Sequence, residues 1–522
     1  MKRIIGLMAI FAVYSVSGQN IFTMSDFSTQ DLNGTARYVS MGGAMSALGA
    51  DLSTMSTNPA ATGLYRKSDI ATTMSVVSFD EGQKFDGKGK TYLSFDNIGL
   101  IYAAKISDDN PIRFFNIGFN YKKSKDFNQL INVGRDMLRY GYASQTWQMA
   151  DLADAFIGEN IDYWEKYQYA PTPLANMGYW NKLIGYDEKY YYNGYGATDY
   201  KYDKAQRGSL QEYDFNFSTN INDRVYLGVT VGAYNVDFRS YSLYRENLYV
   251  YDASYTPDGY YTLSNNREIT GSGYDFKFGI IARPIEESNF RIGVGFSTPT
   301  YYSLTHRTYS VLKENTISHA EDRLEAETVD IDYDYKIRTP WKFNFSIGNT
   351  FFNSLAVGLE YELSDLSATK LSYGSNYDIW DYSDDDIELN REANRKLCTQ
   401  HTFKAGLEWM VDKNVYLRAG YNFVSSPHEK NAYYNQFIDS ASLDYSTSTN
   451  YMTLSNTNRY TVGLGFNVDG FYMDLACLYQ NQHGTFYPFN TQMGYDDEPN
   501  DCPGTRINLN KTQVMLTLGY RF

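Results

Sequence analysis

The sequence has no long hydrophobic run after its first eighteen residues and very little cysteine. A helix that crosses a bilayer needs about eighteen consecutive apolar residues, so the sequence predicts no membrane-spanning helix. Three cysteines in 522 residues exclude a disulfide scaffold. Cys398 and Cys502 fall in expected loops, and Cys477 falls on a strand. Whether Cys398 pairs with Cys502 stays open, because connectivity cannot be read from sequence.

The sequence also lacks a basic excess. It has 46 Lys and Arg against 61 Asp and Glu, a formal net charge of −15, which excludes a nucleic-acid partner. Two acidic runs, DYSDDDIELN (381–390) and GYDDEPND (494–501), do not have the spacing of calcium-binding EF-hand loops. We therefore expect solvated loop charge there, and we predict neither a metal site nor a cofactor.

The first eighteen residues have the pattern of an export signal. Lys2 and Arg3 precede an apolar run over residues 4–13, and small residues lead to Gly18. The apolar run is too short to span a bilayer as an anchor helix. We therefore predict a signal peptide over residues 1–18 and exclude it from the fold.

What the sequence does have is aromatic residues in alternating segments. Aromatics make up 17% of the chain, with 51 Tyr and 30 Phe, although the mean hydropathy is −0.48. About fourteen segments show the period of two that is typical of strands with one apolar face. The segments are 69–79, 91–104, 113–123, 212–221, 224–234, 274–282, 290–296, 340–348, 355–363, 402–411, 415–423, 459–468, 471–479 and 514–522.

The connections between these segments alternate between short and long. Short links such as NIND, VDKN and VDG alternate with long links, which are 124–211, 238–273, 300–339, 364–401, 424–458 and 480–511. Short turns on one side and long loops on the other are typical of outer-membrane barrels. The sequence therefore predicts an all-β protein of the bacterial outer membrane. Its antiparallel barrel of about fourteen strands spans residues 69–522, with long extracellular loops, notably 124–211.

The final segment, VMLTLGYRF, predicts the seam of this barrel. A sheet in hydrocarbon cannot keep a free edge, so the last strand must pair with the first. The terminal Phe522 resembles the end that outer-membrane insertion machinery recognises, which makes that machinery an expected partner beside the membrane lipid. Charged residues on the strands should face inward, because a charge that faces acyl chains is costly. These residues are Lys404, Glu408, Arg418 and Asp474.

Residues 19–68 do not alternate and are rich in small residues. Small residues let backbone segments pack closely, and methionine fills irregular apolar space. We therefore predict an N-terminal hatch, or plug, inside the lumen, although a periplasmic lead-in fits the composition equally well. The candidate lumenal ligand contacts are Met41, Met45, Leu48 and Met55.

One stretch of this segment, GTARYVSMGGAMSALGADLSTMSTNPAATG, resembles the hatch of the FadL/TodX family of outer-membrane transporters for long-chain fatty acids and aromatic hydrocarbons. The matching residues are Gly34, Ala36, Arg37, Gly42, Gly43, Ala44, Asp51, Asn58, Pro59 and Ala60. Segments 339–348, 417–427 and 473–479 are also similar to strands of that family. The long link 124–206 departs from the family in its length and tyrosine content.

The resemblance implies a fourteen-stranded barrel with a lumenal hatch. A hydrophobic ligand would be captured by the outer loops, bind in the lumen and leave sideways through a gap in the wall. Gly34, Arg37, Gly42, Gly43, Asp51, Asn58, Pro59 and Ala60 would form the hatch and gate. The family's gap involves the third strand, where Asn116 and Gly118 would weaken pairing.

Other functions stay open at this point. The Tyr-rich loops suit a surface adhesion or assembly protein that uses the barrel as an anchor. Some relatives carry a haem-receptor label, but the five histidines are scattered without a ligand-like pair. An enzyme is not expected, because the sequence has no Gly-x-Ser-x-Gly motif and no credible Ser/His pairing on the strands.

Overall fold

The computed structural model of the protein describes residues 20–107, 109–138, 144–157, 172–186, 192–249, 256–319, 327–373, 384–438, 440, 446–490 and 502–522. The predicted signal peptide (1–18) and the acidic run 494–501 lie outside these residues, as do the first three residues of the run 381–390. Cys398, Cys477 and Cys502 are unpaired.

The helices are short. They are α1 (Ile21–Ser28), α2 (Ala36–Ser40), α3 (Gln145–Ile157), α4 (Pro173–Trp180) and α5 (Ile387–Lys396), with 3₁₀ turns at Leu52–Ser56, Pro59–Leu64 and Leu366–Ala368. Asn20 caps α1 by accepting a hydrogen bond from the Thr23 amide at 2.9 Å. None of the described helices combines the length and the apolar character that crossing a membrane requires.

Fourteen strands form the wall of a barrel. They are β1 (Asp69–Phe79), β2 (Thr91–Lys105), β3 (Ile112–Asp126), β4 (Gly196–Ile221), β5 (Val225–Tyr249), β6 (Pro257–Ala282), β7 (Arg291–Ser297), β8 (Lys342–Phe351), β9 (Leu355–Asp365), β10 (Thr399–Asp412), β11 (Val415–Val424), β12 (Thr457–Val468), β13 (Phe471–Asn481) and β14 (Lys511–Arg521). Each pairs antiparallel with the next. β14 pairs with β1 from Asp69↔Arg521 to Phe79↔Lys511, which closes the ring. The predicted strand number and seam are confirmed.

The outer face of the wall carries a belt of exposed apolar side chains. Representative members are Ile98, Phe215, Phe276, Phe345, Leu407, Leu464 and Leu516. The predicted inward charges Lys404, Glu408, Arg418 and Asp474 are all buried in the lumen. An apolar band around a closed, even-numbered barrel is the architecture of outer-membrane proteins, because every backbone group in hydrocarbon needs a partner within the sheet.

Two of the predicted long loops are wrong. Most of residues 238–273 belong to β5 and β6, which are 25 and 26 residues long. Residues 300–339 contain the antiparallel strands Tyr301–Thr316 and Glu327–Arg338. The wall therefore continues past the apolar belt on the long-loop side, where its outward residues are polar.

The segment predicted as the loop 124–211 also contains regular structure. β3 extends to Asp126 and β4 begins at Gly196, with Gln129–Asp136, α3, α4 and the paired strands Ile184–Tyr186 and Tyr192–Gly194 between them. These elements share an apolar core with the small sheet Tyr451–Leu454, His483–Tyr487 and Thr505–Asn508. We call this assembly the loop-side module. Tyr200 and Tyr202 are buried in its core.

Candidate ligand cavity and wall opening

Residues 20–68 fill much of the lumen. At the short-turn end, the amide of Ser68 donates to the Phe522 carbonyl and the amide of Phe522 donates back, each at 3.0 Å. At the long-loop end, the Phe22 ring stacks on Tyr451 with centroids 5.2 Å apart. The chain thus descends the lumen, and we divide it into a latch segment (20–33) and a hatch body (34–64).

The hatch body lies directly on a ring of glycines in the wall. A Cβ atom added at Gly228, Gly279, Gly358, Gly406 or Gly420 would come within 3.0 Å of hatch atoms. Across this ring those atoms are mostly backbone, which cannot rotate away. Glycine is therefore required on these strands because the hatch backbone approaches the wall too closely for any side chain.

Polar contacts fix the hatch body as well. The Arg37 guanidinium donates to both carboxylate oxygens of Glu408 at 2.8 Å. Arg418 pairs with the same carboxylate at 2.6 Å and with Asp474 at 2.6 Å. This four-membered network has no net charge, so each buried ion has a partner, as buried charges require.

The other predicted hatch residues serve the internal structure of the hatch body. Asp51 accepts hydrogen bonds from the Thr35 hydroxyl and from the amide of Ser53. Asn58 caps the 3₁₀ turn that Pro59 begins, and Ala60 donates its amide to the Asn58 side chain at 3.1 Å. Gly34, Gly42 and Gly43 have φ values of 145°, 62° and 80°, which side chains disfavour. No contact described here tests a gating role for these residues.

The structure does not place the four predicted ligand contacts in a cavity. Met41, Met45 and Met55 are completely buried, and Leu48 is 8% exposed. Met55 contacts Gly118 and Leu48 contacts Gly348, so these side chains fill the hatch–wall interface. The glycine ring lets the hatch body pack closely on the wall at these positions, and their role as ligand contacts stays a prediction.

A lumenal cavity lies on the long-loop side of the hatch body. It is a cavity of about 240 Å³, bordered by the latch segment, the upper parts of the wall strands and the loop-side module. Its aromatic lining residues are Phe22, Phe27, Phe79, Phe127, Tyr202, Phe238, Tyr451 and Phe486. Most of the remaining lining residues are polar, so the cavity offers aromatic rings together with charged and hydrogen-bonding groups.

The cavity is cationic although the chain is acidic. Its lining contains five Lys and Arg side chains, Lys125, Lys204, Arg267, Arg459 and Lys511, against the three carboxylates of Asp26, Asp31 and Asp126. Lys125 pairs with Asp26, and both Arg459 and Lys511 pair with Asp31. The two lining cations that are in none of these pairs are Lys204 and Arg267.

Lys204 and Arg267 have no carboxylate partner within salt-bridge distance among the described residues. Arg267 donates from Nε to His306 at 3.3 Å. Burial and the neighbouring Arg267 lower the pKa of Lys204 to about 8, and burial lowers the pKa of Arg267. Two neighbouring, half-buried cations repel each other unless an anion joins them, so this corner of the cavity is suited to an anionic group.

The wall next to the cavity has an opening between β2 and β3. Their ladder runs from Lys105↔Phe114 to Asn97↔Lys122 and ends there, although β2 continues to Thr91 and β3 to Asp126. On their other sides, β2 pairs with β1 and β3 pairs with β4. The two strands therefore lose their backbone pairing above Asn97, where a side-chain hydrogen bond of 2.6 Å from Lys123 to Ser94 still joins them. We call this the wall opening.

The latch segment replaces the missing strand contacts at the wall opening. The amide of Asp31 donates to the Ser124 carbonyl at 2.8 Å. The amide of Asp126 donates to the Asp31 carboxylate at 3.2 Å. The Asn33 side chain donates to the Lys123 carbonyl at 3.1 Å and to Asp96 at 3.1 Å. Backbone groups of β3 that lack a strand partner are thus satisfied by the latch segment.

The two residues predicted for the gap, Asn116 and Gly118, lie in a paired part of the third strand. Asn116 pairs with Ala103 of β2 and Ser218 of β4, and Gly118 pairs with Ile101 and Asn216. Asn116 also donates to the Thr62 carbonyl of the hatch at 2.7 Å. The ladder is therefore continuous at both residues, and the strands separate further toward the long loops.

Four residues of this site were missed from the sequence: Asp31, Lys204, Arg267 and Asp96. A signal for the wall opening was present in LSFDNIGL (93–100). The outward apolar residues Leu93 and Phe95 are followed by Ile98 and Leu100, so the alternation slips by one residue. That slip is a β-bulge, which turns Asp96 and its neighbour Asn97 both inward.

No family model and no curated protein matches this chain. Among solved structures, a FadL homologue of Pseudomonas aeruginosa matches 95% of this chain and 100% of its own, with 12% identity and a TM-score of 0.51. The toluene transporter TbuX of Ralstonia pickettii matches 94% and 99%, with 12% identity and a TM-score of 0.48. The toluene transporter TodX of Pseudomonas putida matches 94% and 99%, with 11% identity and a TM-score of 0.46. The chain shares the fold of the FadL homologue.

Proposed function

We propose that this protein is a passive outer-membrane transporter of hydrophobic small molecules. The observation that supports this most directly is the position of the latch segment, which borders the cavity on one face and covers the wall opening on the other. The shared fold with a FadL homologue points to the same class of function.

The proposed route is lateral. A compound enters the cavity from the long-loop side, the latch segment moves away from β3, and the compound leaves between β2 and β3 into the bilayer. Outward residues beside the wall opening are apolar, with Leu93 79% and Phe95 41% exposed. A lipophile that leaves sideways avoids water, and each buried CH₂ group contributes about 0.8 kcal/mol. The hatch body stays in place.

Within this class we favour long-chain fatty acids or similar amphiphiles with an anionic head group over neutral aromatic hydrocarbons. Lys204 and Arg267 support this choice, because a carboxylate between them would supply the missing counter-charge while the tail lies against the rings of the cavity. A purely neutral ligand would leave both cations unpaired.

Uptake by cells tests this proposal. In a bacterial host that lacks its own fatty-acid channel, expression of the protein should restore uptake of radiolabelled palmitate. Excess unlabelled dodecyl sulfonate should compete more strongly than dodecanol, which has the same chain length and no charge. Uptake equal to that of the empty host, or equal competition by both compounds, would contradict the transport role and the head-group preference respectively.

A second candidate function is binding at the cell surface through the loop-side module. Its own apolar core, which includes Met149, Leu174 and Tyr244, favours this reading, because a folded module is more than transport requires. Deleting residues 145–194 separates the two functions. Loss of partner binding with uptake preserved would support the surface role, whereas loss of uptake alone would favour transport.

A further inference from the structure

One tight turn on the short-turn side has an unexpected residue. Three such turns place non-glycine residues at positive φ, and two of them share one geometry. Asn222 and Asp223 have φ values of 52° and 56°, and Phe352 and Asn353 have 52° and 55°. Each turn closes with a hydrogen bond of 3.0 Å, from Arg224 to Ile221 and from Ser354 to Phe351. This is the type I′ hairpin turn.

Phenylalanine fits this conformation poorly. Asn, Asp and Gly tolerate the left-handed region, and the third turn has Asp469 and Gly470 there. A bulky side chain at positive φ is a genuine outlier. Phe352 is also 93% exposed, the highest value among the large apolar residues that the structure describes. A strained and fully exposed aromatic ring suggests a contact outside the protein, since strain persists where it serves a function.

The neighbours of Phe352 indicate what that contact is. Phe351, Trp409 and Val411 are 44%, 48% and 49% exposed, and they belong to the outward-facing apolar belt. Phe351 pairs with Leu355, which pairs with Trp409, so these residues are adjacent on the wall. The turn itself, FFNS (351–354), has no charged residue. Phe352 therefore continues the lipid-facing surface past the end of the strands.

We propose that Phe352 inserts into the phospholipid surface at the short-turn side of the barrel and anchors β8 and β9 there. The ring gains an apolar environment at the level of the head groups, where aromatic side chains of membrane proteins concentrate. This contact offsets the strain of the turn. The inference rests on the barrel spanning a bilayer, which the proposed function shares, and it does not depend on the transported compound.

A fluorescent probe at three positions tests this inference. Cys398, Cys477 and Cys502 are first replaced by alanine, and a single cysteine is introduced as Phe352→Cys, Asn222→Cys or Phe345→Cys. Each protein is labelled with an environment-sensitive dye and reconstituted into phosphatidylcholine–phosphatidylglycerol vesicles with or without spin-labelled lipid. Asn222→Cys is the matched turn, and Phe345→Cys reports on the apolar belt. The heat-dependent shift in gel mobility confirms that each variant is folded.

We expect the dye at residue 352 to emit at shorter wavelength than the dye at residue 222 and to be quenched by spin-labelled lipid. If the dye at residue 352 is not quenched while the dye at residue 345 is quenched, the turn lies in water and the inference is wrong, even if a protein partner binds there. If the dye at residue 345 is also not quenched, the barrel does not span the bilayer, and the proposed function fails together with the inference.

Discussion

The latch segment and the hatch body lie next to each other in one lumen, but they contact the wall in different ways. The hatch body rests on wall glycines and on the Arg37–Glu408–Arg418–Asp474 network, and its methionines are completely buried. The latch segment borders a cavity and contacts β3 where β3 has no β2 partner. The hatch body has no room to move, whereas the latch segment is held by hydrogen bonds, by the ion pairs of Asp26 and Asp31, and by the packing of its apolar side chains beside the cavity.

This difference shows how a plugged barrel can transport a molecule without expelling its plug. Moving the hatch body would break close packing around the ring of glycines and expose buried charges. Moving residues 31–33 breaks three hydrogen bonds to β3, each worth about 1 kcal/mol. It also breaks the hydrogen bond of Asn33 to Asp96 and the ion pairs of Asp31 with Arg459 and Lys511. On the proposed transport route, we therefore expect residues 31–33 of the latch segment to move before the hatch body does, because elements that move have low local stability.

The largest effect on folding should come from disrupting the packing of the hatch body on the wall. A Cβ atom at Gly420 would collide with the backbone of Gly42 and Met41, so Gly420→Val should prevent the hatch from seating and abolish the folded barrel. Gly89→Val is the control, because no atom lies within 4 Å of a Cβ atom there. Heat-dependent gel mobility distinguishes the folded from the unfolded form. A folded Gly420→Val protein would show that the hatch body is loosely held.

The second effect tests the buried network of the hatch body. Arg37→Ala leaves Glu408 and Asp474 with Arg418 alone, so we expect a loss of about 3 kcal/mol in the free energy of unfolding. Arg66→Ala removes an exposed pair with Asp223 and should cost less than about 1 kcal/mol. Urea unfolding in detergent micelles measures both values. Equal losses would mean that the network does not anchor the hatch body.

A smaller effect, on ligand affinity, is expected at the cavity beside the latch segment. Lys204→Met removes one of the two unpaired cations, so affinity for dodecyl sulfonate should fall about ten-fold, the value of one charge-assisted hydrogen bond. Affinity for dodecanol should not change. Calorimetric titration in micelles measures both. An equal change for both ligands would contradict a head-group role for Lys204.

The smallest effect is a pH dependence of the same affinity. Lys204 has a pKa of about 8, so it is charged below that pH and loses its charge as the pH rises through it. Binding of dodecyl sulfonate, which is ionised throughout, should therefore weaken from pH 7 to pH 9, and Lys204→Met should reduce the pH dependence. A bound anion raises this pKa and shifts the loss to higher pH. An unchanged pH profile in the variant would exclude Lys204 as its source.

The sequence was sufficient for the part of the fold that lipid dictates. Every second residue of a wall strand faces outward, and in hydrocarbon that residue must be apolar. This alternation made all fourteen wall strands predictable. Above the apolar belt the outward residues face water, so the polar residues point outward and the apolar residues point inward. In the strand Glu327–Arg338, Ile331 and Tyr333 face inward whereas Asp330 and Asp332 face outward. The alternation is still present, but the polar face is the outer one, and such segments resemble loops when an apolar outer face is expected.

The candidate site was harder to predict. The small residues of the hatch predicted its position in the lumen. Its contacts depend on which wall glycines face it, and the strand register determines which glycines those are. Asn116 and Gly118 looked suited to weak pairing, yet both are paired, and the opening follows from a bulge at Asp96. Lys204 and Arg267 are distant in sequence and meet only because β4 and β6 both pair with β5.

Disulfide cross-links test the central claim, that the latch segment moves during transport and the hatch body does not. In a cysteine-free background, Asp31→Cys with Ser124→Cys ties the latch segment to β3, since the Asp31 amide and the Ser124 carbonyl are 2.8 Å apart. Ala36→Cys with Thr517→Cys ties the hatch body to β14, where the Ala36 amide lies 2.7 Å from the Thr517 hydroxyl.

We predict that oxidation of the first pair stops palmitate uptake, that a reductant restores it, and that oxidation of the second pair leaves uptake unchanged. Continued uptake with the latch segment tied to β3, or its loss when only the hatch body is tied to the wall, would contradict the account.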